Sequence, residues 1–355
     1  MKNTRSLQLQ KKSRYSKLKE NLDNDIFNNN WHEVDTSKWK KPSKTINAVD
    51  LFSGAGGLAL GLQNAGFKIK GSVEIDVDAS ATINRNFKNT KHINTPIEEI
   101  HKAEIQEFKN IQLVAGGPPC VGFSVAGYRN PKDVRNLYYR EFLRFIEVLK
   151  PKYFLMENVP GILTIDEGKV KELMLNEFKK LGYETSIRIL EAAEFTVPQF
   201  RTRAIFIGNR VGLSNPYPKK ILNKEEYIPI EDAINDLVDH PRDPSINHEW
   251  TNHSKKFEQR ISRVKPGDSL YATFKDAYKR QYLGVPSMTI KENHGGTHIH
   301  PTLNRVISVR EMARLQTFPD NFFFEGTMKR GMWQVGNAVP VKLAEHIGKA
   351  IISEL

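Results

Sequence analysis

A single thiol is the first side chain in this 355-residue sequence that could do covalent chemistry. Cys120, the only cysteine, sits in GGPPCVGFS (116–124), directly after an apolar run and inside a loop stiffened by two prolines. A free thiol ionises at about pH 8.5, so it attacks well at neutral pH only where backbone N–H groups or a cation favour the thiolate. A lone cysteine is ordinarily a buried, inert one; the strand-end loop position argues here for a nucleophile. MENVPG (156–161) ends another apolar run and presents Glu157 beside Asn158. If Cys120 adds to a ring carbon, such a carboxyl is placed to hold or donate a proton at a neighbouring ring nitrogen, although a Glu that merely caps a turn would look the same. In QFRTR (199–203), Arg201 and Arg203 alternate with Thr202. On extended backbone both would face one side, where they could orient Glu157 or bind a carbonyl or phosphate. Surface arginines are the commoner explanation of such a pair taken alone.

A fourth pattern concerns nucleotides. In DLFSGAGGLALG (50–61), Gly54, Gly56 and Ala59 satisfy a G-x-G-x-x-G/A turn between an apolar run and a helical stretch. Such glycines let a nucleotide approach the backbone closely. Glu74 follows Gly54 by 20 residues, at the end of the next apolar run, where it can accept hydrogen bonds from both hydroxyls of a ribose. A tight turn with a surface Glu would give the same pattern.

The elements that must carry these residues alternate. Strand-like runs fall at 46–52, 67–75, 111–117, 152–159, 183–190 and 203–208, with helical stretches after the glycine turn and at 77–87, 136–150 and about 168–181. This predicts an α/β fold with an open, mostly parallel sheet and helices on both faces, ligands binding beyond the carboxyl ends of the strands. The rhythm breaks between about Asn209 and Pro286, where prolines recur, and helical signals return at VREMARLQTF and, after a loop at QVGNAVP (334–340), at VKLAEHIGKAIISEL. The chain therefore divides into a basic N-terminal extension (1–45), a catalytic and cofactor-binding domain (46–209), a smaller irregular domain (210–286), and a segment (287–355) that ends the small domain and returns to the first.

Composition narrows the function classes. Lys and Arg outnumber Asp and Glu by 53 to 41, a formal charge of +12, and residues 1–44 hold 11 of those cations against 5 acids, half of the net charge. A flexible basic arm that meets a phosphate backbone and a merely solvated leader both fit that segment. No window approaches the roughly 18 apolar residues of a membrane span, and the first residues lack the apolar core of a secretory signal, so a cytoplasmic location is expected. One cysteine excludes an internal disulfide and every zinc site needing two thiolates.

Taken in order, the glycine turn, the PPC loop, ENV and QFRTR, followed by RLQTFPD (314–320) and QVGNAVP, resemble the cytosine-C5 DNA methyltransferase family of bacterial restriction-modification type, over about 46–209 and 287–351. The resemblance implies a Rossmann-like fold that takes S-adenosylmethionine as methyl donor, releases S-adenosylhomocysteine and needs no metal, with residues 210–286 as a target-recognition domain. It implies a cytosine flipped out of a short specific duplex sequence. Cys120 would add at C6 while Glu157 interacts with N3, C5 would take the methyl group, and loss of the C5 proton with elimination of Cys120 would restore the ring. By family position, Phe52, Ser53, Gly54, Gly56, Gly57 and Leu58 lie against the donor. Glu74 binds its ribose with Ile75 and Ile97 nearby, and Pro118, Leu137, Asn337 and Val339 close the pocket. Arg203, with Arg201, supports Glu157 and the cytosine O2. The loop 120–136 closes over the base with Ser124 and Arg135 near phosphates, and Lys275, Tyr278, Lys279 and Arg280 are candidates for groove contacts.

Two positions depart from the family. Val121 stands where a Gln usually follows the cysteine, and Pro96-Ile97 replaces an Asp-Ile pair, so a backbone carbonyl would have to accept from the donor's adenine. The expected partners are duplex DNA, on which a monomer suffices near the bacterial nucleoid, and a separate restriction endonuclease cutting the same site. A tRNA methyltransferase of the same family and a catalytically silent DNA-binding relative are the alternatives. A nicotinamide oxidoreductase could share the glycine turn and Glu74 but gives no reason for PPC, ENV and QFRTR together, and a zinc deaminase needs a second cysteine and an H-x-E that the chain lacks.

Overall fold

The computed structural model describes residues 15–23, 30–119, 137–273, 277–291 and 298–355. Its centre is a seven-stranded sheet in the order β4-β3-β2-β5-β6-β8-β7. The strands are β2 (Ile46–Leu51), β3 (Phe67–Val73), β4 (Lys91–Ile93), β5 (Leu113–Gly116), β6 (Tyr153–Asn158), β7 (Glu184–Glu191) and β8 (Thr202–Asn209). From β4 to β6 all neighbours are parallel; β8 runs antiparallel to both β6 and β7. The near-continuous apolar runs in the sequence become strands buried on both faces. Ala48, Leu113, Tyr153 and Leu155 point into one core, and Val49, Val114, Phe154 and Met156 into the other.

The helices divide between those faces. Gly57–Asn64, which follows the glycine turn, packs against the C-terminal helix Val341–Ile352 so closely that a Cβ on Gly61 would stand 2.5 Å from the Val341 carbonyl. On the other face lie Leu137–Leu149 and Lys169–Lys180, with Phe178 stacked on Phe154 at 4.1 Å between centroids. The chain leaves β2 for β3 and β4 on one side and returns to β5 on the other, which makes the gap between β2 and β5 the switch point where such sheets bind ligands. The glycine turn and the PPC loop leave those two strands.

Three boundaries differ from the sequence reading. The extension is not wholly an arm or a solvated leader. Ser16–Asp23 is a helix whose Leu22 is buried, and β1 (Trp31–Val34) pairs in parallel with β9 (Asn215–Pro218). Through β9 the large body continues past residue 209. The Tyr217 hydroxyl donates to the Ser186 carbonyl at 2.7 Å and accepts from the Ile207 N–H at 3.2 Å. QVGNAVP is not all loop, because the helix Met328–Asn337 runs into it, burying Met332 and Val335 before Ala338 turns the chain. Among the described residues no helix is long and apolar enough to cross a membrane.

Away from the sheet lies a separate, modest core of Ile261, Val264 and Ile299, with Phe257, Leu270 and Tyr278 against it. Arg280, expected at a DNA groove, is instead 5% exposed. Its guanidinium donates to the carbonyls of Ile261, Val264, His300 and Leu303 and to Asn304 Oδ1, at 2.7–3.0 Å. A charge that far out of water needs such acceptors, and with them taken it ties the segments around this core together rather than reading a base.

Asp50, one residue before the end of β2, is fully buried, and neither carboxylate oxygen has a hydrogen bond of ordinary geometry among the described residues. Burial pushes its pKa up to about 8, helped by the Glu74 carboxylate and opposed by the Ala59 N–H and Ser53. A carboxyl whose pKa is raised by folding favours the fold below its unfolded value near 4, and that contribution is lost as pH rises through about 8. Chemical denaturation at pH 5.5 and 8 of the native chain and Asp50→Asn should therefore show the native chain losing about 3 kcal/mol more than the variant. Parallel pH profiles would mean that the carboxyl is not protonated in the fold.

Candidate active site

Beyond the carboxyl ends of β2, β5 and β6 opens a cleft of about 1960 Å³, larger than the roughly 300–1,000 Å³ of a single small-ligand pocket. One end is built by the turn after β2. Phe52 and Gly54 both have positive φ, +56° and +52°, and the space around a Cβ on Gly54 is empty to 4 Å. The Gly54 N–H donates to Glu74 Oε2 at 2.7 Å and the Asp76 N–H to Oε1 at 2.8 Å, so the carboxylate is held from behind. Burial raises the Glu74 pKa against the pull of those two N–H groups. Asp76 is fixed in turn by Arg330, which also binds Asp78 at 2.7 Å and lies 4.6 Å from the Trp333 ring centroid. Ile75 stands 59% exposed at the lip. An open glycine, an anchored carboxylate and an uncovered apolar side chain suit a nucleoside whose ribose hydroxyls bind Glu74 and whose base packs on Ile75. The residues therefore fit S-adenosylmethionine. Thr95, Pro96, Ile97 and Glu98 line the same end, but the Ile97 carbonyl already accepts from Arg144 at 2.7 Å.

The other end is built by β6 and β8. Their register sets Glu157 opposite Ile205, and Arg203 lies two residues from Ile205 on the same side, the diagonal position across an antiparallel pair. Arg203 Nε meets Glu157 Oε1 at 2.6 Å, with both side chains nearly buried, 11% and 13% exposed. A Cβ on Gly117 would come within 3.1 Å of Glu157 Oε2, so the loop leading to Cys120 passes over the carboxyl without a side chain between them. Asn158 Nδ2 donates to the Pro118 carbonyl at 2.9 Å and ties that loop to β6.

Arg201 makes no hydrogen bond to Glu157 among the described residues, although the two charges attract each other. Only 3% exposed, it donates to the carbonyls of Ile290, Gly336 and Ala338 at 2.7–3.0 Å. Burial and the neighbouring Arg203 hold its pKa well below the usual arginine range. Glu191 fixes the backbone where β8 begins, accepting from the Arg201 N–H at 2.6 Å and the Thr202 hydroxyl at 2.8 Å.

The structure brings Phe52, Ser53, Gly54, Leu58, Glu74, Ile75, Ile97, Pro118, Glu157, Arg201, Arg203, Asn337 and Val339 onto this one cleft. Gly56 and Gly57 shape it from behind. Gly56 begins the helix at φ +88°, and Gly57 lets the Val339 carbonyl approach to 2.4 Å from where a Cβ would be. Cys120, Ser124, Arg135 and Lys275 lie outside the described residues, as does the side chain of Leu137. Tyr278 packs with Phe257 and His253, and neither it nor Lys279 is on the cleft. The sequence reading missed Asp50, Tyr138, Glu191, Tyr227 and Trp333, all on the cleft wall. Tyr138, edge-on to Phe52 at 6.0 Å, was signalled only by its place after Leu137. Among the described residues no group of three His, Cys, Asp or Glu side chains is placed to hold a metal ion.

Comparison with known proteins agrees with this geometry. The family model for the C-5 cytosine-specific DNA methylase matches residues 46–353. The type II methyltransferase M1.HphI of Haemophilus parahaemolyticus is 35% identical, covering 89% of each chain. M.Sau96I of Staphylococcus aureus is 34% identical over 91% of this chain and 79% of its own. A prophage-encoded Escherichia coli protein described as a DNA modification methyltransferase superposes with TM-score 0.73 at 28% identity, over 87% of this chain and 99% of that one. Spodoptera frugiperda DNMT2 shares the fold at TM-score 0.66 and 17% identity, over 87% and 100%. The chain belongs to the C-5 cytosine-specific DNA methylase family, whose members take their methyl group from S-adenosylmethionine.

Proposed function

We propose that the chain methylates C5 of one cytosine within a short specific sequence of duplex DNA, after that cytosine has been extruded into the cleft. The observation that carries this reading is the Glu157–Arg203 pair, at 2.6 Å, beside the loop to Cys120 and in one cleft with the nucleoside end. Cytosine is a weak carbon nucleophile. The Cys120 thiolate forms a bond to C6, the displaced electron pair moves to C5, and Glu157 holds a proton at N3 to accept the charge the ring gathers. Arg203 keeps Glu157 in register and offers a guanidinium to the cytosine O2. When bound, S-adenosylmethionine would supply the electrophilic methyl group that C5 takes up as the methyl–sulfonium bond breaks, leaving S-adenosylhomocysteine. The C5 proton is then removed, the bond to Cys120 breaks, and aromaticity returns. Extrusion is required because C5 and C6 are stacked inside a duplex.

The relatives are type II methyltransferases, and on that basis we take this chain as the protective half of a restriction-modification pair. It would act as a monomer on bacterial chromosomal DNA in the cytoplasm, with the endonuclease a separate protein. Residues around the small domain supply the sequence reading; Tyr278 and Lys279 remain candidates there and Arg280 does not.

Two measurements test this. Bisulfite sequencing of DNA and RNA from a methylation-free bacterial host should find protected cytosines confined to one short DNA sequence, absent with Cys120→Ala. Protection confined to RNA would transfer the substrate to tRNA or rRNA. Arg203→Gln should lower kcat by about 100-fold or more while S-adenosylhomocysteine affinity stays within about threefold. A variant that loses cofactor affinity instead would place Arg203 at the other end of the cleft.

A further inference from the structure

We propose that the N-terminal helix Ser16–Asp23 is a wall of the DNA cleft, and that Lys17 and Lys19 bind the phosphate backbone beside the extruded nucleotide. This rests on the DNA-methylating reading above and assigns contacts to a segment outside the family match, which begins at residue 46. Leu18 and Leu22, four apart on the helix, make its inner stripe. Leu22 is 4% exposed and Leu18 packs on the same core as Phe154 and Ile189. The helix is clamped at its far end, where Asp23 pairs with Arg188 of β7 and the Arg188 guanidinium lies 3.7 Å from the Trp31 ring centroid. Such anchoring is more than a solvated leader needs.

What the docking presents is cationic on balance. Lys17, Lys19 and Glu20 line the same cleft as Pro119, Glu157 and Arg203. Asp23 is engaged with Arg188, while neither lysine has an ion pair among the described residues. Two lysines against one acid without an ion pair among the described residues, on the wall of the cleft that must receive a duplex, complement a polymer with a negative charge about every 1.7 Å. The long stems also suit the task, since a lysine can lie along apolar surface and keep its ammonium in the groove.

The test uses the full chain and a duplex containing the sequence found protected by bisulfite. Each phosphate contact changes the slope of log affinity against log salt by about 0.9, so Lys17→Gln/Lys19→Gln should flatten the slope by roughly 1.8 between 50 and 200 mM salt. Lys17→Arg/Lys19→Arg should keep the native slope, and S-adenosylhomocysteine affinity should not move. An unchanged slope in an active enzyme overturns the inference and leaves the activity standing. A loss of S-adenosylhomocysteine affinity with the slope intact also overturns it, because the lysines would then face the donor. A native chain that modifies no DNA cytosine overturns the activity and the inference together.

Discussion

The Glu157–Arg203 ion pair depends on one register, and the end of the cleft built by β6 and β8 depends on that pair. It exists because β8 enters the sheet antiparallel between β6 and β7, so that a residue near the start of β8 faces one near the end of β6. A slip of one residue would send Arg203 to the opposite face and leave Glu157 nearly buried without its cation. Removing one member of such a pair costs more than the pair contributes, because the survivor is left uncompensated. The surrounding bonds read as insurance on the register: Glu191 fixes the backbone at Arg201 and Thr202, and Asn158 fixes the loop from β5.

The residue that precedes β8 also couples the two ends of the cleft. The Arg201 guanidinium gathers the carbonyls of Gly336 and Ala338, the segment that brings Asn337 and Val339 to the donor end. Val339 presses against Gly57 at the start of the helix that follows the glycine turn. The base-side strand and the donor-side turn are thus tied through the last part of the chain, which explains why a C-terminal segment so far along the sequence belongs to the catalytic body. A cationic side chain fully out of water is costly unless carbonyls surround it, and here that requirement itself draws the segments together.

Much of this was legible in the sequence. Long apolar runs such as KYFLMENV and RAIFIG gave strands within a residue or two of those observed, because strands buried on both faces leave little else to read. The glycine turn, Glu74, Glu157 and Arg203 were identified by type and spacing, and all four meet on one cleft. What failed was whatever depends on distant partners. Arg280 looked like a groove residue because its acceptors, from Ile261 to Asn304, are spread along the chain. Trp31–Val34 forms a strand only through Asn215–Pro218, and the helix at Ser16 only through the face of the sheet it covers. Local polarity carries none of that.

We propose that Glu157, held by Arg203, activates the base for attack by Cys120. The most direct test is covalent trapping on a duplex carrying 5-fluorocytosine at the target position, with S-adenosylmethionine present. Fluorine at C5 cannot leave as a proton does, so the bond to Cys120 cannot be eliminated and the complex survives denaturation. The native chain should be trapped on this duplex, whereas Glu157→Gln should bind the same duplex yet be trapped about 100-fold more slowly or not at all. Trapping of Glu157→Gln at the native rate would mean that the Glu157 carboxyl does not activate the base.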